Sequence, residues 1–332
     1  MDSEENIVIR KYTENDELLW DEFVLNNSVN GTFLQSRKFL NYHPKDRFID
    51  FSLLFYLKER LVAVCPACMV DDNGKVFVSH QGSTYGGLVL GKELLRLELI
   101  VSVLELLQKY LIECDFTKTI LKPTMSLLCK EQDESLSYAF NYCGFTEYRE
   151  LNLYIDYSTY DKDVMVNFSK LKKRQVSKCI KEGLVLRELV AKKEIEEFHR
   201  VLKENLKKFD KDPVHSVDEL IDLKQRFPEI INFYGAYLND SLLSCTMVFD
   251  FPSVKCAHTQ YLAAQNVEGN LSPMSFIYYS MAKLYQERGY KYLSWGIATE
   301  HYGEGINWGL MRNKEEYGSF HGINRIYEKE LK

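Results

Sequence analysis

Glycine and proline are scarce in this chain, at 17 and 7 of 332 residues. So little of either leaves no long flexible linker and no collagenous or low-complexity arm. Long apolar runs are missing as well. Stretches such as 61–65 fall far short of the roughly 20 residues a spanning helix needs, so no membrane span is expected. Positive charge is in deficit, with 42 Lys and Arg against 48 Asp and Glu, a net charge of −6. A general nucleic-acid coat is disfavoured, because phosphate binding needs an excess of cations; a local basic patch is not excluded. The opening Met-Asp-Ser-Glu-Glu-Asn is acidic and has no secretory h-region. The eight cysteines are scattered rather than set in a framework, which predicts a reduced, cytoplasmic protein.

Several chemistries lose their main support. No Gly-x-Gly-x-x-Gly or Walker sequence occurs, so dinucleotide and P-loop readings fall away. No Gly-x-Ser-x-Gly elbow is present. The seven histidines show no His-Glu-x-x-His or similar spacing, and no metal site is expected. Cys65-Pro-Ala-Cys68 has redox or zinc spacing, yet it lies inside an apolar strand pattern, and Cys114 and Cys129 do not form a second pair. Packing is the expected role of this pair.

What remains is an ordinary globular balance, 45% hydrophobic and 27% charged, rich in Tyr (22) and Phe (19). The length predicts about two domains. Aromatic and β-branched runs between helical patterns define an α/β (α+β) chain. Strands are expected over 7–10, 51–57, 61–69, 76–79, 119–122 and 148–155, with 61–69 and 76–79 forming a hairpin across Asp71-Asp-Asn-Gly74. Leu at helical spacing predicts a helix over 93–112. The second half repeats the order: strands over 233–238, 242–249 and 258–263, then a helix headed by Ser272-Pro273 and ending at Gly289. A strand over 290–295, a last helix to about Tyr317 and a strand over 323–327 follow. The shared ending reads as a structural duplication, against one large α/β domain with coincidental spacing. Between the halves, 163–182 reads as one amphipathic helix stopped by Gly183. Val164, Met165, Phe168, Leu171, Val176, Cys179 and Ile180 form its apolar arc, and Lys170, Lys173, Arg174, Lys178 and Lys181 its basic one. The basic arc is either a solvated face or a phosphate contact.

Two clusters can carry chemistry. His80-Gln-Gly-Ser-Thr-Tyr-Gly-Gly87 sits between a strand and the long helix, and its backbone can approach a ligand closely; a bulged turn is the plain alternative. The second cluster, 295–318, leaves the end of a strand, where α/β sheets place ligands. On its helix, Ile306, Leu310 and Tyr317 are expected to form the buried stripe, with Asn307 and Lys314 two turns apart beside it. Lys314 there is either a snorkelling side chain or a cation aimed into a site.

Taken in order, Gly31-Thr-Phe-Leu-Gln-Ser36, 79–87, the basic helix 171–183, His258-Thr-Gln-Tyr261 and the block from Thr299-Glu300 to Gly318 resemble the FemAB-like double-GNAT acyltransferases. That family includes the Fem-type aminoacyltransferases of peptidoglycan bridge formation. The resemblance implies two tandem GNAT-like domains, 1–160 and 161–332, each a mixed, mostly antiparallel sheet flanked by helices. The second domain is preceded by the basic helix 163–183, and a cleft is expected between the two. The implied activity is transfer of an aminoacyl or acetyl group to an amine of a cell-envelope or nucleotide-linked sugar or peptide precursor. The donor, acyl-CoA or aminoacyl-tRNA, is expected at Asn270, Leu271 and Ser272, where a helix N-terminus favours an anion. The usual GNAT Arg/Gln-x-x-Gly-x-Gly/Ala loop is replaced there by Asn-Val-Glu-Gly-Asn-Leu-Ser-Pro-Met over 266–274. No heptad segment marks a coiled-coil arm.

Lys314 is the expected cation for the charge developed in the reaction. Glu300, with Glu304 behind it, is the expected base or water-orienting group. Backbone amides after strand 258–263 are expected to stabilise the tetrahedral intermediate. Arg37, Tyr85, Gly86, Lys173, Arg174, Gln260, Tyr261, Thr299 and Asn307 are expected to contact substrate. Two other functions compete: a non-catalytic binding module on a degenerate GNAT frame, and an RNA-binding protein, with tRNA as possible partner, using the basic helix.

Overall fold

A computed structural model describes residues 7–71, 75–160, 163–267 and 269–331. Contacts divide the chain into two compact units, residues up to 150 with 323 onwards, and 151–322. The first unit contains β1 (Ile7–Lys11), α1 (Glu17–Glu22), α2 (Arg37–Leu40), β2 (Ile49–Asp50), β3 (Leu53–Leu57), β4 (Arg60–Cys65), β5 (Ala67–Asp71), β6 (Lys75–Ser79), β7 (Val89–Leu90), α3 (Leu97–Glu113), β8 (Phe116–Leu121) and α4 (Ser135–Tyr142). Strand β9 (Thr146–Asp156) runs across the boundary. The second unit continues with α5 (Lys170–Lys181), β10 (Val185–Glu188), α6 (Lys192–Leu206), α7 (Val217–Arg226), β11 (Ile231–Leu238), β12 (Ser241–Phe251) and β13 (Cys256–Ala264). It closes with α8 (Pro273–Glu287), β14 (Tyr292–Ile297), β15 (Thr299–Glu300), β16 (Gly305–Ile306), α9 (Trp308–Glu315) and the start of β17 (Phe320–Glu330).

In the first unit, β1, β3, β4 and β7 form an antiparallel sheet. A second sheet runs β17-β8-β6-β5-β2, parallel only between β8 and β6. The strand expected over 61–69 is two strands. Pro66, which has no N–H to give a ladder, ends β4, and β5 leaves for the other sheet. Helix α3 connects β6 to β8 and buries Leu99, Ile100, Val103, Leu104, Leu107 and Leu111 among Phe77, Phe116 and Leu121. Residues 72–74 of the expected turn lie outside the described residues.

The second unit's sheet runs β10-β11-β12-β13-β14-β9, parallel only between β13 and β14, which α8 connects. A strand, a long helix and a parallel strand thus recur in both units. The boundary expected at 160/161 lies ten residues earlier, and residues 323–332 return to the first unit. The register accounts for both shifts: Asn152–Asp156 of β9 pair with β14, and Tyr327–Glu330 of β17 pair with β8.

The helix expected over 163–182 is broken. Asp163 accepts from the Met165 N–H to cap a single turn over Val164–Asn167, Phe168 and Ser169 are extended, and Ser169 starts α5 by accepting from the Lys172 N–H. The break rotates the buried face to Lys172, Val176 and Cys179 and leaves Leu171 and Ile180 exposed. Gly183 stops α5 with φ +89°.

Candidate active site of the second unit

Strands β13 and β14 pair in parallel over three rungs only: Cys256 with Tyr292, Ala257 with Leu293, and His258 with Ser294. Beyond the last rung, both carry a bulge. Gln260 is skipped in the pairing of β13 with β12, and Trp295 is skipped in the pairing of β14 with β9. A bulge bends its strand and withdraws backbone groups from the ladder. The parallel strands therefore open at their carboxyl ends, where the backbone can face a ligand.

Gly296 forms one wall of this opening, with φ +78°. A Cβ there would lie 3.5 Å from His258 Cε1 and 3.9 Å from Lys314 Nζ. Lys314 is buried on α9, and its Nζ donates to the carbonyl oxygens of Gly296 (3.1 Å) and Ile297 (2.8 Å). Successive carbonyls of a regular strand point opposite ways; the left-handed Gly296 lets these two converge on one ammonium. Burial pushes the Lys314 ammonium down to about 7, so both of its protonation states are accessible near neutrality. On the other side, His258 Nδ1 lies 2.9 Å from Ser294 Oγ, and Ser294 Oγ donates to Asn152 Oδ1 at 2.9 Å. Burial, reinforced by the Lys314 charge, lowers the His258 imidazole to about 4.

The expected stripe on α9 is corrected: Ile306 and Leu310 are exposed, and Met311 and Lys314 face inward with Tyr317 following. The helix begins only at Trp308, with Asn307 as its N-cap accepting from the Leu310 N–H. This shorter start turns Leu310 outward and brings Lys314 into the buried face rather than to its border. Asn307 also donates to Glu300 Oε1 at 3.4 Å, and Glu300 is exposed. Thr299 is buried, its Oγ1 accepting from the Leu151 N–H at 3.0 Å. Tyr261 is tied to His215 Nδ1 through its hydroxyl at 2.6 Å.

At the head of α8, Asn270 is exposed and Leu271 and Ser272 are half-buried. Helix α5 lies against this first turn. Cys179 Sγ donates to Ser272 O (3.3 Å), Ser275 Oγ donates to Gln175 Oε1 (2.9 Å), and the Tyr317 hydroxyl donates to Ser275 Oγ (3.0 Å). Helix α5 is thus a structural brace as well as a basic surface. Lys172 reaches Asn313 Oδ1 (2.6 Å) and Glu316 (3.4 Å) over the Tyr317 ring. Lys173 donates to Val166 O at 2.9 Å, and Arg174 is exposed.

The first-unit candidates are Arg37, Tyr85 and Gly86. Arg37 is not a surface cation. It is fully buried, ion-paired with Asp50, and stacked 3.5 Å from the Tyr12 ring centroid and 4.5 Å from that of Trp20. Tyr85 is buried, and the Gly86 N–H donates to Lys122 O at 2.8 Å. The Lys122 N–H in turn donates to Ser79 Oγ at 2.7 Å, just past the last β6–β8 rung, Val78 with Ile120. A Cβ on Gly86 would stand 2.7 Å from Ser79 Cβ. The 80–87 loop therefore fills, with its own chain, the opening that the second unit keeps between β13 and β14. Cys65 and Cys68 are buried in the first unit, and burial raises the Cys68 thiol to about 12, far from a reactive thiolate. Among the described residues, no group of His, Cys, Asp and Glu is placed to hold a metal, and no helix is long and apolar enough to cross a membrane.

Sequence reasoning missed His258, Ser294, Asn152 and Gly296 as a group. His258 stood only inside a matched tetrapeptide, and nothing local joins β13, β14 and β9, whose residues meet through strand register.

This is a Fem-like double-GNAT fold: two tandem GNAT-like domains, each a mixed, mostly antiparallel sheet flanked by helices. Among solved structures, the chain is similar to FemX, with a TM-score of 0.68 at 11% identity over 96% of each chain. It is similar to a tandem GNAT protein from the clavulanic acid biosynthesis pathway, with a TM-score of 0.57 at 9% identity over 98% of this chain and 99% of that one. It is also similar to the C-terminal domain of a putative lysylphosphatidylglycerol synthetase from Agrobacterium fabrum, with a TM-score of 0.54 at 10% identity over 80% and 81%. No family model matches the sequence, and no curated protein matches it.

Proposed function

We propose that this protein is an acyltransferase that moves an acyl group to an amine, with the chemistry at the opening between β13 and β14. The observation that carries the reading is Lys314, buried and held by two backbone carbonyls beside the last parallel rung. An ammonium has three donors, and two are spent on Gly296 and Ile297, which fixes the group and leaves one N–H for a substrate oxygen. Such a preset donor stabilises the oxyanion of a tetrahedral intermediate. The bulge at Gln260 offers a backbone amide for the same charge. The tandem GNAT and synthetase names of the similar structures support the same reaction class.

The donor is an acyl-CoA or an aminoacyl-tRNA, bound by Asn270, Leu271 and Ser272 at the head of α8. The acceptor is an amine on a cell-envelope or nucleotide-linked precursor. Glu300, exposed and hydrogen-bonded to Asn307, is the group assigned to orient the incoming amine. Lys173 and Arg174 on α5 supply positive charge for phosphates of donor or acceptor.

A non-catalytic binding module is the second reading, favoured by the first turn of α8, where Ser272 O and Ser275 Oγ are already engaged by α5. Calorimetry with acetyl-coenzyme A and with aminoacyl-tRNA separates the two. The enzyme reading expects heat with one donor, weakened by Ser272→Tyr. Silence with both, alongside binding of an amine-bearing precursor, selects the binding module.

A further inference from the structure

We propose that His258 accepts the proton of the attacking amine and that Ser294 and Asn152 position its ring for this. The proposal rests on the acyl-transfer reading and adds a residue to that site.

Three strands contribute. His258 on β13 and Ser294 on β14 share the rung where the parallel pair ends, and Asn152 reaches Ser294 from β9, two residues along from Tyr154, the β9 partner of Ser294. The hydrogens can be counted. The Gly296 N–H donates to Ser294 Oγ at 3.3 Å, and the Ser294 hydroxyl hydrogen goes to Asn152 Oδ1. Ser294 Oγ is then an acceptor toward His258, so His258 Nδ1 carries the ring hydrogen and Nε2 carries the lone pair. Nε2 has no hydrogen-bond partner among the described residues. The ring edge at Cε1, next to Nε2, borders the space above Gly296 that a side chain would fill, and Lys314 Nζ borders the same space. A donor's acyl carbon in this space has the Lys314 ammonium for its oxygen and the imidazole for the incoming nucleophile.

The charge environment agrees. Lys314 is the one charged side chain that acts on His258 among the described residues, and no carboxylate stabilises an imidazolium. The ring therefore stays neutral down to about pH 4, so its Nε2 lone pair is present throughout the neutral range and any proton it takes is held only briefly. Glu300 is exposed and bonded to Asn307, and it lacks this setting.

The step balances. The amine nitrogen forms the C–N bond to the acyl carbon, and its proton passes to His258 Nε2. The bond from that carbon to the leaving sulfur or oxygen then breaks, and the electron pair goes to the leaving atom. The imidazolium, disfavoured by burial, returns its proton to that atom, and His258 ends neutral. No further reactant is needed.

The test compares wild type, His258→Gln and Ser294→Ala with whichever of acetyl-coenzyme A and aminoacyl-tRNA the wild type uses. The nucleophile is either a primary alkylamine or hydroxylamine, whose nitrogen sheds its proton to water far more easily. His258→Gln is expected to lower kcat with the alkylamine by about 10²-fold at unchanged donor KM, and to lose far less with hydroxylamine. Ser294→Ala, which keeps the ring but frees it, is expected to fall between. Equal rates for His258→Gln and wild type with the alkylamine overturn the proposal, as does an equal loss with both nucleophiles. A wild type that transfers with neither donor overturns the acyl-transfer reading itself, a result separate from any effect of a variant. Nitrogen-15 imidazole spectra of the wild-type protein give a check without substrate: the Nδ1–H tautomer of His258 is expected, and an Nε2–H tautomer contradicts the assignment.

Discussion

His258 and Lys314 border the same space above Gly296: a single methyl group on its Cα would touch the imidazole at 3.5 Å and stand 3.9 Å from the ammonium. Its φ of +78° also turns the two carbonyls that hold Lys314. Gly296→Ala therefore acts twice. The left-handed backbone costs about 1–2 kcal/mol with a Cβ present, and the methyl enters the space where substrate is proposed to react. Chemical denaturation should show a loss of that size, and acyl transfer should fall by far more than the stability loss explains.

Lys314 sets a pH signature. Its folded value, about 7, lies below the ordinary 10.5. Between those values the unfolded chain binds more protons than the folded one, so stability rises with pH across that window. Below about pH 7 the buried ammonium is charged in both states, and its full desolvation cost is present. Lys314→Met removes this titration. Melting curves from pH 6 to 10 should show the difference, wild type minus Lys314→Met, climbing with pH; a flat difference contradicts a depressed Lys314.

Gly86 tests the division of labour between the units. With Ser79 Cβ at 2.7 Å from an added methyl, Gly86→Ala forces the 80–87 loop off the end of β6. Overpacking of this kind costs about 1–3 kcal/mol, read as a lower denaturation midpoint. The donor heat in calorimetry should persist in this variant, because the loop packs against its own chain rather than a donor.

Much of the architecture was legible locally. The Leu spacing of α3, the Ser272-Pro273 start of α8 and the stop at Gly183 each follow from short-range periodicity and capping. Lys314 stood out because a cation falls at a helix position next to apolar ones. Pro66 breaks the strand expected over 61–69, a signal that the continuous apolar run around it hides. Arg37 is expected from the sequence to contact substrate, but Tyr12, Trp20 and Asp50 gather around it from separate segments. The His258–Ser294–Asn152 set was invisible for the same reason. It exists only once β9 lies antiparallel to β14 and a bulge at Trp295 shifts the register.

The most direct measurement follows label from a carbon-14 acyl donor, acetyl-coenzyme A or aminoacyl-tRNA, into an amine acceptor, with wild type beside Lys314→Met. The site described here predicts labelled amide from the wild type and a loss of about 10²-fold or more in the variant, which should still fold by circular dichroism. Equal labelling by Lys314→Met would contradict the placement of the chemistry at the opening between β13 and β14.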